Sequence, residues 1–102
     1  MSVLNITPRE RMVDTRGRPY FGWDVDLTLE EFEQRLADPD ADVRGYFMAK
    51  LMRQARPDDV FAFASPLQIA TQWNIIAPRL GRQREFWRFV LTAWGWTLDE
   101  HR

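Results

Sequence analysis

The sequence predicts an all-α fold, a compact domain of about five short helices, and two observations carry that expectation. Apolar residues recur at helical spacing, most clearly Val43, Phe47 and Leu51 at i, i+4 and i+8. Helix starts are signalled by Thr28-x-x-Glu31, a capping box, and by Asp38-Pro39, Arg56-Pro57 and Ser65-Pro66, since Pro is tolerated in a first helical turn. The strand-like pairs Met12-Val13 and Tyr20-Phe21 stand ahead of all of these.

Residues 1–22 lack helical periodicity, and Thr7-Pro8 and Arg18-Pro19 disfavour helix before each Pro. They form an N-terminal arm, either extended or closed as a short hairpin around Gly17. Residues 23–102 are expected to form a single helical domain. Its first helix carries the stripe Leu29, Phe32 and Leu36, and its second is capped by Asp38 or Asp40. On that second helix Val43, Phe47 and Leu51 form the core stripe, flanked by Met48, Met52 and Ala55. Arg44, Lys50, Arg53 and Gln54 take the outer face.

A short third helix runs through Val60, Phe61 and Phe63, and a fourth through Leu67, Ile69, Ala70 and Trp73 until Pro78 and Gly81 break it. The last covers about Arg82 to Trp94, with Phe86, Phe89, Val90, Ala93 and Trp94 inward, and ends at Gly95. The stretch from Asp38 to Leu51 resembles the second half of a HEAT-type repeat, so HEAT-like helix pairs are expected.

Composition narrows the chemistry. At 102 residues the chain is one domain, and its five Trp and seven Phe must dominate a core or an interface. It has no cysteine, which removes thiolate nucleophiles, disulfides and thiolate metal sites. No apolar run approaches a membrane span, and no apolar stretch follows a basic N-terminus, so a cytoplasmic protein is expected. The single histidine, His101, has no partner at metal-ligand spacing. Ser65 reads as a helix cap, not a nucleophile. Asp24 and Asp26 sit at the i, i+2 spacing of metal-binding nucleotidyltransferase pairs. They lead straight into a capped helix, with no Gly-Ser motif before them and no third carboxylate on a nearby predicted strand, so they read as turn or capping residues. No enzyme, metal or cofactor is expected.

Charge and aromatics point to binding instead. Residues 24–42 hold Asp24, Asp26, Glu30, Glu31, Glu33, Asp38, Asp40 and Asp42 against Arg35 alone. Residues 43–88 hold eight bases against Asp58, Asp59 and Glu85. Acids crowding helix N-termini and bases crowding helix C-termini account for this segregation, as the helix dipole favours; the functional alternative is that one face is an acidic docking surface or the other a basic one. Arg79, Arg82, Arg84 and Arg88 beside Trp87 form the candidate nucleic-acid element, though the isoelectric point near 5.8 is far from a basic footprint. Trp87, Trp94 and Trp96 are either core or the lining of a groove.

The span from Arg18 to Trp94 resembles a group of small bacterial helical proteins that accompany abortive-infection-type nucleotidyltransferase toxins. The resemblance rests on Arg18-Pro-Tyr-Phe-Gly-Trp-Asp-Val-Asp26, Leu29-Glu-Glu, Val43-Arg with Leu51, Ala55-Arg, Asp59-Val-Phe, Ser65-Pro-Leu-Gln-Ile and Phe86-Trp-Arg-Phe. It covers about three quarters of the chain and leaves residues 1–17 outside. It implies a non-enzymatic, antitoxin-like or accessory protein that binds a nucleotidyltransferase toxin. An acidic, aromatic surface of Tyr20, Phe21, Trp23, Asp24, Asp26, Glu30 and Glu31 would then cover a basic substrate cleft. The alternatives are a nucleic-acid-binding transcriptional regulator and a generic helical interaction module.

Overall fold

A computed structural model describes residues 4–22 and 24–98. Trp23 and His101, both weighed above, lie outside the described residues. Among the described residues six α-helices follow one another: α1 Leu29–Leu36, α2 Ala41–Gln54, α3 Pro57–Val60, α4 Pro66–Thr71, α5 Trp73–Ile76 and α6 Arg84–Ala93. Tight 3-10 turns occupy Arg9–Arg11, Tyr20–Gly22, Ala77–Arg79 and Gly81–Gln83. The described residues are mostly helical, and none forms a β-strand.

The local signals hold. Thr28 and Glu31 close both halves of the capping box on α1, and Ser65 does the same with Gln68 on α4. Asp40, not Asp38, caps α2 through the Asp42 amide. Beyond α6, Gly95 takes a φ of 88°, a backbone shape that a side chain would strain. The expected fourth helix divides in two, because the chain leaves helical geometry at Gln72 (φ −108°, ψ 15°). α1 packs on α2, and α6 is the other helix of eight residues or more. α3, α4 and α5 have four to six residues each.

α2 is the axis of the molecule. α1, α5 and the turns at Tyr20–Gly22 and Ala77–Arg79 all pack on it. At Gly45 the approach of α5 is so close that a methyl group would collide with Ile75 Cγ2. A helix covered on several sides has no single apolar stripe, and this corrects the expected phase. Leu51 is core, but Val43 and Phe47 are only half-buried, and Gly45, Met48, Ala49 and Met52 line the interior with it. Lys50, expected outside, is buried.

The last helix is turned the other way from expectation. Trp87 and Leu91 face inward, while Phe86, Phe89, Ala93 and Trp94 are exposed. The reason is a hydrogen bond. The final carbonyls of α2 have no partner within their own helix. Trp87 Nε1–H donates to the Met52 carbonyl at 3.1 Å, and Gln83 Nε2 reaches that of Arg53 at 3.4 Å. α6 therefore docks by capping α2, and the indole must point inward.

Residues 4–22 pack on this helical body. A single antiparallel bridge joins Val13 to Pro19, with Asp14 N–H on the Arg18 carbonyl (3.0 Å) and Tyr20 N–H on that of Met12 (2.9 Å). Gly17 turns the chain with a φ of 78°. Met12 and Phe21 enter the same core as the helices, where Phe21 meets Phe32 and Phe63 edge to face.

Candidate interaction surface

The aromatic part of the expected binding surface is largely used by the fold. Phe21 is fully buried and leaves the surface set. Tyr20 keeps an exposed edge, but its hydroxyl donates to Asp59 Oδ2 at 2.6 Å and accepts from the Arg56 amide at 2.9 Å. Partial burial, then the Asp59 carboxylate, push the Tyr20 hydroxyl pKa up to about 12.

Asp59 is the residue that sequence reasoning missed. It is fully buried, and its Oδ1 accepts the Thr7 amide at 2.7 Å. Arg56 Nη1 lies 3.5 Å from the same oxygen and bonds Thr7 Oγ1 at 2.7 Å. Burial pushes the carboxyl up, but the bonds from Thr7 and Tyr20 outweigh it and hold its pKa below the usual carboxylate range. Its neighbour Asp58 accepts the Asn5 amide at 2.9 Å. The start of α3 thus ties the N-terminal segment down.

The acidic residues divide into two groups. Asp24 faces Lys50, whose Nζ lies 2.8 Å from Asp24 Oδ2 and whose side chain is only 2% exposed. That hydrogen bond holds the Asp24 carboxyl below its ordinary value. Glu31 is spent on the cap, where the Thr28 amide lowers its pKa, yet it stays exposed. Asp26 and Glu30 are different: their side chains are 93% and 71% exposed. Arg18 and Arg9 approach them only loosely, at 3.7 and 3.8 Å, a surface spacing worth little. Beside them lies an open depression of about 300 Å³ lined by Arg9, Glu10, Val13, Gly17, Leu29 and Glu30.

The four arginines proposed for nucleic acid do not form one stripe. Arg79 turns inward to the Ile75 carbonyl (2.6 Å) and Asp42 (3.5 Å). Arg88 lies over the Trp73 ring and 3.8 Å from Glu85. Arg82 and Arg84 are exposed at the start of α6, and Trp87 between them and Arg88 is core. Among the described residues no group of three or more His, Asp or Glu side chains could hold a metal ion. No described helix is long and apolar enough to cross a membrane. No family of known proteins, no curated protein and no solved structure matches the chain.

Proposed function

We propose that this chain works by binding another protein, in a non-enzymatic antitoxin-like or accessory role, and that the partner is a nucleotidyltransferase toxin with a basic substrate cleft. One observation carries the reading: the corner between the hairpin and α1 leaves Asp26, Glu30 and Glu31 exposed, Glu30 on the rim of an open depression, with Arg18 only 3.7 Å from Asp26 and Arg9 3.8 Å from Glu30 as loose surface contacts. Carboxylates so arranged offer a basic cleft the charge it expects from nucleic-acid phosphates, and charge complementarity of this kind speeds and orients docking. The resemblance stated above supplies the class of partner. A cytoplasmic setting goes with it.

The test is titration calorimetry against the nucleotidyltransferase of the native host. Asp26→Lys with Glu30→Lys should weaken the complex at least about tenfold, with helix content unchanged, because neither side chain holds the fold together. Binding that survives this pair but is lost with Arg82→Glu and Arg84→Glu, or a free protein that shifts DNA through those arginines, would favour a nucleic-acid regulator instead.

A further inference from the structure

Among the described residues, the outer face of α6 carries three of the exposed large apolar side chains. Phe86 is 44% exposed, Phe89 71% and Trp94 47%, and Ala93 is exposed between them. At those exposures the three rings leave on the order of 300 Å² of aromatic surface in water, the size of patch that on a monomer is often functional. Trp87 and Leu91 anchor the helix in the core; Trp94 also lies against Phe61 and Phe86 against Trp87, and each keeps an exposed edge. The acidic corner at Asp26 and Glu30 is a separate surface built from different elements.

We infer that this face pairs with the same face of a second copy of the chain, the two α6 helices running antiparallel across a two-fold axis. Shape is one argument. An antiparallel crossing near Phe89 sets the large Phe86 against the small Ala93 of the second copy, twice by symmetry. It also carries the second copy's Trp94 toward the shallow depression of about 380 Å³ formed by Ala55, Pro57, Arg82, Gln83 and Phe86.

Charge is the other argument. Arg82 and Arg84 sit at the N-terminal end of α6, where the helix dipole is positive and gives a cation no support. The last turn of α6 has no basic residue to complement its negative end. Within one chain Glu85 in the first turn offsets only part of that positive charge, and the C-terminal end has no cation in its last turn. Antiparallel pairing brings the arginines of each copy to the negative helix end of the other and corrects both.

Two such faces bury roughly 600 Å² of ring surface, and flanking side chains bring the contact toward the roughly 1,200 Å² of a small specific interface. The expected assembly is a micromolar dimer. Sedimentation velocity from low micromolar to near-millimolar concentration should show a reversible monomer–dimer equilibrium. Phe89→Glu should raise the dissociation constant at least about tenfold, with circular dichroism and melting unchanged because Phe89 is mostly in solvent. Arg82→Glu with Arg84→Glu should weaken the dimer as well. A monomer at every concentration would mean that this face serves some other protein or none, and would overturn the inference. A dimer indifferent to Phe89→Glu would overturn it equally. The result is independent of whether any nucleotidyltransferase binds the acidic corner.

Discussion

Replacing Asp59 by Asn changes one atom in a fully buried side chain, and the geometry says that this should be expensive. Oδ1 accepts the Thr7 amide at 2.7 Å with Arg56 nearby, and Oδ2 accepts the Tyr20 hydroxyl at 2.6 Å. An amide has one acceptor oxygen for these two sides. With the NH₂ toward Thr7, two N–H donors face each other and the backbone cannot turn away. With the NH₂ toward Tyr20, the hydroxyl must give up donating, and it already accepts from the Arg56 amide. One bond is therefore lost and the other falls from charged to neutral strength. Hydrogen bonds to charged groups contribute about 1.5–3 kcal/mol each and neutral ones about 1 kcal/mol, so the expected loss is about 2–4 kcal/mol. That is a large share of the 5 to 15 kcal/mol or so available to a small domain. Urea denaturation followed by circular dichroism measures it. Tyr20→Phe alone should cost about 1–2 kcal/mol, and the double variant should cost less than the sum, since both remove the same bond. A loss within about 0.5 kcal/mol for Asp59→Asn, the range of an ordinary surface change, would refute the buried network.

Stability should also fall at both pH extremes through this pair. Asp59 titrates below its unfolded value, so its contribution is complete above the usual carboxylate range and lost as pH falls through the lower folded value. Tyr20 titrates above its unfolded value, so its contribution is complete below about pH 10 and lost as pH rises toward 12; Tyr20→Phe should flatten that alkaline loss in melting curves. Gly45→Ala should lower stability by about 1–2 kcal/mol, because overpacking against Ile75 outweighs the better helix propensity of Ala. Trp87→Phe should cost about 2–3 kcal/mol, from lost volume and from stranding the Met52 carbonyl. Lys50→Met should be tolerated better than Asp24→Ala, since the first removes a buried charge whose partner reaches water and the second strands that charge. Denaturation midpoints rank the two.

What could be read from the sequence was what neighbours along the chain decide. The Thr28–Glu31 box, the Ser65 cap with Pro66 and the Gly95 stop need only a few consecutive residues, and all three stand where the sequence put them. What could not be read depends on residues distant in sequence. Lys50 looked like an outer-face residue because its carboxylate partner lies 26 positions earlier. Asp59 looked like a first-turn acid because nothing local announces the Thr7 amide and the Tyr20 hydroxyl. On α6 two apolar faces compete, one with Phe86 and Phe89 and one with Trp87 and Leu91, and periodicity cannot choose between them. The choice is made by the free carbonyls at the end of α2, since the Trp87 indole N–H can satisfy that of Met52 and no Phe side chain can. The acidic corner was legible as a charge run, but not the division of its acids into Asp24, held by Lys50, and Asp26 and Glu30, left exposed.

That division makes salt the variable that separates the two surfaces. Attraction between Asp26, Glu30 and a basic cleft acts across water, where the screening length is about 10 Å at 0.1 M salt and about 3 Å at 1 M. A complex held by that corner should weaken steadily as salt rises, mainly through a slower association rate. The α6 face draws most of its energy from aromatic burial, which salt does not screen, and only its arginine contacts should soften. Self-association should therefore change little over a range in which a complex held by the acidic corner weakens markedly. Titrating both equilibria against sodium chloride tests this on one protein sample. If self-association collapsed in parallel with partner binding, the arginines rather than the rings would be holding the two copies together. Partner binding that held firm in high salt would mean that the acidic corner is not what the partner reads.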